Sequence, residues 1–305
     1  MRMFTCGIIL EDGCVVGDSY TEILGDLHIA NTNENAKTLF VKAKLSPKNG
    51  EWWTDPATWV FDYISEFEQE EYAIHKSELV PVWFMTDKEK YKQMLVKAVT
   101  IWTDEHVLVN RNIEELSSGV YLLRNCRVKK LSGAVTARLS TTIVNEIKDN
   151  AYVDYMDAHS VVSKMSDEAV VEYMQESDIY QMSGLSKVKD MVKSRVYEMI
   201  DSAEIISAYE NSVIMSMIDY SHIDTLGYSC AESKNNSSVV MKMCGYSYID
   251  KLTGYSEVKE INDNTIVYLV EANAAIGTMN QRAMTVKTKN GLTFRIKHFM
   301  KKISQ

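Results

Sequence analysis

A tandem repeat governs what this chain can fold into. Its motif is a small residue, a β-branched apolar residue two positions on, and a large apolar residue three beyond that. It runs through Ala151-Val153-Met156, Ser160-Val162-Met165, Ala169-Val171-Met174, Ser177-Ile179-Met182, Ser186-Val188-Met191 and Ser194-Val196-Met199. It continues with Ala203-Ile205, where Ala208 replaces the large residue, then Ser212-Ile214-Met217 and Ser221-Ile223-Leu226. Upstream the frame gives Arg111-Ile113-Leu116, Ser118-Val120-Leu123, Cys126-Val128-Leu131, Ala134-Thr136-Leu139 and Thr142-Val144-Ile147. Downstream, after a degenerate unit at Ser229, come Ser238-Val240-Met243, Ser247-Ile249-Leu252, Ser256-Val258-Ile261, Asn264-Ile266-Leu269 and Ala274-Ile276-Met279.

Residues two apart on a strand share a face, so the small and branched positions point inward together. The large residue, most often Met, turns inward from the next segment, where an unbranched side chain fills irregular space. A helical reading fails on period, because a nine-residue unit moves a helical stripe to the opposite face with each repeat. The expected fold is therefore mainly β: a parallel β-solenoid of 8–9-residue units. Such a unit is too short to close a turn, which predicts about two units per coil and some ten coils stacked about 4.8 Å apart.

All three prolines, Pro47, Pro56 and Pro81, precede the array, as expected if its strands must all donate ladder hydrogen bonds. The expected organisation is an α+β N-terminal capping domain over residues 1–110, a solenoid over 111–285 and a capping strand or tail over 286–305. In the first domain, strands are predicted for Arg2 to Leu10 and Cys14 to Leu24 around the Asp12-Gly13 turn, and for Leu39 to Leu45. Lys88 to His106 reads as an amphipathic helix through Tyr91, Met94, Leu95, Ala98, Val99 and Trp102. Leu292 to Met300 alternates as a basic closing strand.

Chemistry-bearing motifs are few. The five cysteines, Cys6, Cys14, Cys126, Cys230 and Cys244, contain no CxxC pair, which predicts free thiols, no zinc site and a cytoplasmic setting. The six histidines have no defensible metal-ligand spacing, and no nucleophile elbow or phosphate loop appears, so neither a catalytic role nor a cofactor is expected. The acid run Glu66 to Glu71 reads as a solvated face. No apolar run approaches the roughly 18 residues that span a bilayer.

Charge distribution says more than the net −9. Residues 151–230 carry 14 acidic against 5 basic side chains, whereas 231–305 carry 6 against 11. An acidic centre argues against direct binding of nucleic acid, which needs Lys and Arg on phosphates. Outward positions of alternate units place Asp154, Tyr155, Glu172, Tyr173, Lys189 and Asp190 on one face, a candidate partner-binding stripe whose alternative is a solvated sheet surface. Trp52 and Trp53 are a second candidate contact, with a place in the domain core as the alternative.

The units, such as Asn150-Ala151-Tyr152-Val153-Asp154-Tyr155-Met156 and Ser160 to Met165, resemble the nonapeptide solenoid proteins of phage and prophage genomes, and more distantly pentapeptide-repeat proteins. The resemblance covers the repeat pattern of residues 107–280. It implies a phage or mobile-element origin, not an activity; pentapeptide-repeat proteins often work as acidic rods that occupy nucleic-acid-binding surfaces, but the unit length here departs from theirs. The expected function is non-enzymatic: binding and inhibiting a host protein that handles nucleic acid or serves defence, in the host cytoplasm. The alternative is a structural, virion-associated rod, with assembly through the solenoid ends.

Overall fold

A computed structural model describes residues 6–17, 20–63, 80–157, 159–234, 236–271, 273–280 and 282–288. The chain divides into two compact units, Met1–Leu108 and Val109–Gln305. The acid run 66–71 and the expected closing strand 292–300 lie outside the described residues.

In the first unit, β1 (Cys6–Ile9), β2 (Cys14–Val16), β3 (Val41–Ser46) and β4 (Val60–Tyr63) form an antiparallel sheet in the order β2-β1-β3-β4. The second predicted strand stops early: after Val16 the chain forms helix α1 (Tyr20–Asp26). Tyr20, Ile23 and Leu24 are all buried at helical spacing, so burial of one helical stripe decides that segment. Short helices α2 (Asn33–Thr38) and α3 (Val82–Thr86) follow. The predicted long helix forms as α4 (Lys88–His106), started by Asp87, whose side chain accepts the Lys90 N–H at 3.2 Å. Tyr91, Leu95 and Val99 bury its apolar face. A Cβ on Gly7 would stand 2.6 Å from Leu95 Cδ1, so glycine there lets β1 approach the helix.

The second unit is a parallel β-solenoid of about ten coils. Val162 pairs with Ile179, seventeen residues on, and Val153 with Val171, eighteen on, which fixes two units per coil. One face stacks Val153, Val171, Val188, Ile205, Ile223, Val240 and Val258 in neighbouring coils. The other stacks Val144, Val162, Ile179, Val196, Ile214, Ala231 and Ile249. The Met positions stack likewise: Met165, Met182, Met199 and Met217 pair in sequence and are fully buried.

Three units depart from the expected frame. In Ser118-Val120-Leu123, Ser118 is exposed and Val120, in register with Thr136, is only half-buried, while Leu122 is buried beside Leu123. Thr265, Val267 and Val270 take the places predicted for Asn264, Ile266 and Leu269, with Val267 paired to Ile249 and buried. The preceding corner, with Asp263 left-handed at φ 55°, is one residue longer than anticipated, and a one-residue slip exchanges the faces of a strand. In Arg127–Ser140 the inward residues are Val135, Ala137 and Leu139 rather than Ala134 and Thr136. That strand runs unbroken past left-handed Gly133 and shifts register between Ala137 and Arg138.

The two corners of a coil use the small residue differently. At one, Ser160 Oγ accepts the Thr142 N–H at 3.1 Å, Ser194 Oγ accepts Ser177 N–H at 3.2 Å, and Ser212 Oγ accepts Ser194 N–H at 3.4 Å. Each hydroxyl also donates to a nearby carbonyl, as Ser194 does to Val192 at 2.7 Å. At these corners a buried hydroxyl joins one coil to the next, and the series Thr142, Ser160, Ser177, Ser194, Ser212, Ser229, Ser247 and Thr265 contains no alanine. The other corner uses Ala151, Ala169, Ser186, Ala203 and Ser221, and the buried hydroxyls of Ser186 and Ser221 have no hydrogen-bond partner.

Candidate partner-binding surface

The register brings the predicted stripe together. Asp154 and Tyr155, Glu172 and Tyr173, and Lys189 and Asp190 lie on the consecutive stacked strands Tyr152–Asp157, Val170–Gln175 and Lys187–Val192. Its charges are turned toward one another. Arg138 Nη2 meets Asp154 Oδ2 at 3.2 Å, with the two side chains only 21% and 11% exposed, and the guanidinium also sits 5.2 Å from the centre of the Tyr155 ring. Lys189 meets Glu172 at 2.7 Å, and the Tyr152 hydroxyl donates to the same carboxylate at 2.7 Å. Desolvation alone would raise the Glu172 carboxyl, but these hydrogen bonds and the Lys189 charge outweigh it and hold it below its usual range.

The tyrosines join this ladder. Tyr155 and Tyr173 stack at 5.2 Å with their planes 11° apart, and the Tyr155 hydroxyl donates to Gln175 Oε1 at 3.1 Å. Such cross-strand pairs hold neighbouring coils together. Asp190 alone among the stripe's acids is exposed. Trp52 is buried in the first unit and packs edge-on against half-buried Trp53 at 5.2 Å, so Trp52 belongs to the core.

The corner at which the stripe's own strand stack ends offers a different surface. Tyr209, Tyr228 and Tyr246 occupy one corner in three successive coils, and the next strands to leave it begin or continue with Tyr248 and Tyr268. Their exposures are 37%, 57%, 68%, 45% and 53%. Tyr228 and Tyr246 rings lie 5.9 Å apart. Two glycines form their floor, Gly227 beneath Tyr209 and Gly245 beneath Tyr228.

Nothing in the corner itself calls for an aromatic. The Tyr228 backbone is left-handed, φ 52°, and in other coils that position holds His159, Glu176, Lys193 or Gly245. A bulky residue at positive φ is locally unfavourable, so its ring serves something other than the turn. These residues do not stand out in the repeat frame, because three of the five tyrosines sit at the turns and not between the branched and large positions of a strand. The available signal was the recurrence of tyrosine beside glycine or serine at coil spacing, as in Gly227-Tyr228-Ser229 and Gly245-Tyr246-Ser247.

Among the described residues no group of three His, Cys, Asp or Glu is placed to hold a metal ion, and no helix is long and apolar enough to cross a membrane. The fold and surface define a two-sided parallel β-solenoid with an aromatic edge. No protein-family model matches the chain, and no curated protein and no solved structure is significantly similar to it.

Proposed function

We propose that this chain is a non-enzymatic binding protein of a phage or mobile element that occupies and inhibits a host protein, one that handles nucleic acid or serves defence. The observation that carries the binding role is the run of five exposed tyrosines on one edge of the rod. Tyrosine supplies large, rigid, amphipathic contact area at low entropic cost and is enriched at protein interfaces. The choice of partner is supported by the acidic centre, 14 acidic against 5 basic side chains over residues 151–230, which favours a partner with a basic working surface. Contact runs through the tyrosine edge rather than the Asp154–Glu172 stripe, whose carboxylates already have cationic partners within the rod.

The test compares what is captured from host-cell lysate by wild type, by a Y228S/Y246S/Y248S variant and by a D154N/E172Q/D190N variant, read by mass spectrometry. The expected result is a specific partner kept by the acid variant and lost by the tyrosine variant. A partner lost only with the acid variant would move the site to the stripe. Identical empty lists would defeat the binding role and favour a structural rod.

A further inference from the structure

We infer that the tyrosine edge receives an arginine side chain of a protein partner, with Asp250 as its counter-ion and Tyr248 and Tyr268 as its walls. This deepens the reading above and rests on the edge being the contact surface.

Tyr248 and Asp250 are alternate, exposed residues of the strand Tyr248–Leu252. Pairing of Ile249 with Val267 and Lys251 with Leu269 places Tyr268, in the strand Ile266–Val270, directly beside Asp250 one coil on. An exposed carboxylate therefore has one half-exposed ring beside it in the next coil and another two residues back on its own strand. The nearest lysine along the chain, Lys251, is engaged elsewhere, 3.6 Å from Glu271. Asp250 forms no ion pair or hydrogen bond with any described residue.

The other face of the rod shows how such a group is completed. There Asp154 and Tyr155 are joined by Arg138 from the neighbouring coil, which bonds the carboxylate at 3.2 Å and lies 5.2 Å from the ring centre. At Asp250 the carboxylate and rings are present, and among the described residues no arginine pairs with it. A planar guanidinium can stack on a tyrosine ring while its N–H fork meets the carboxylate, whereas an ammonium makes only the point-charge contact. The same charge rejects phosphate, so the occupant is a polypeptide rather than a nucleic acid.

The experiment uses the full chain and two blocked octapeptides, one alternating Arg with Gly and one alternating Lys with Gly, titrated by calorimetry at about 0.15 M salt, where exposed charges more than about 8 Å apart are largely screened. Wild type is expected to bind the arginine peptide about fivefold more tightly than the lysine peptide. D250N is expected to lose about tenfold toward the arginine peptide, while D190N, which removes an exposed acid on the other face, changes nothing. Y268S, checked for an unchanged melting curve, should remove most of the preference for arginine over lysine. Equal binding of the two peptides, no effect of D250N, or an equal effect of D190N would overturn the inference. Capture of a partner that depends on the tyrosines, without arginine selectivity, would leave the proposed function standing and remove this inference alone. Arginine selectivity through Asp250 with no captured partner would do the reverse.

Discussion

The ring of Tyr228 lies across Gly245 of the next coil, so close that a Cβ on Gly245 would stand 2.6 Å from ring Cε2. Gly245 is also left-handed, at φ 70°. One coil earlier Tyr209 covers Gly227, where a Cβ would meet ring Cδ1 at 2.7 Å, but there the backbone has no positive φ to accommodate. The aromatic edge is thus seated on glycines, and the two seats differ in what a side chain would cost.

Gly227→Ala is expected to destabilise the solenoid by about 0.5–1 kcal/mol through displacement of the Tyr209 ring, and Tyr209→Ala should abolish that penalty. Gly245→Ala is expected to cost about 1–2 kcal/mol, most of it surviving in a Tyr228→Ala background because the left-handed backbone remains. Double-mutant cycles in denaturant check both, and equal rescue at the two sites would refute the distinction.

The hydroxyl corner and its counterpart should answer alike substitutions oppositely. Ser194→Ala removes the acceptor of the Ser177 N–H and a bond to Val192, and is expected to cost about 1–3 kcal/mol. Ser186→Ala removes a buried hydroxyl without a partner and is expected to be neutral or stabilising. Denaturation midpoints of the two variants are the measurement.

Asp157 gives a pH dependence with a definite sign. Burial pushes its carboxyl above the ordinary value of 3.8, against the opposing Ser140 hydrogen bond and Arg138 charge, and its Oδ1 is buried without a hydrogen-bond partner. The folded state therefore holds this proton more tightly than the unfolded chain. The favourable contribution is complete below pH 3.8 and is lost as pH rises through the folded-state value. Asp157→Asn is expected to raise the denaturation midpoint at pH 7 and to leave it unchanged near pH 3; a loss of stability at neutral pH would show that the carboxylate is needed in its charged form.

Tyr246, 68% exposed, is expected to contribute contact rather than stability. Tyr246→Ser should move folding stability by no more than about 0.5 kcal/mol, as surface substitutions usually do. A larger loss, read by thermal denaturation, would place the ring in the fold's own packing.

The repeat frame made the solenoid legible before any coordinates, because two side-chain positions locked to one face and a third locked to a corner cannot recur at eight or nine residues on a helix. It also contained the difference between the corners: alanine occurs at Ala151, Ala169 and Ala203 and never in the alternating series from Thr142 to Thr265. Composition alone does not say why, since a hydroxyl's worth depends on the carbonyl and N–H that face it from other coils. The same holds for the surface. Asp154 and Glu172 look like free charge in the sequence, and only the stacking of coils sixteen to eighteen residues apart sets Arg138 and Lys189 against them. The sequence by itself determined the coil, its period and its buried ladders, all consequences of local alternation. The tertiary structure decided which outward charges cancel one another and which side chains, like Asp250 and the five tyrosines, stay exposed to solvent, because neighbours on a solenoid's surface are set by the register between coils.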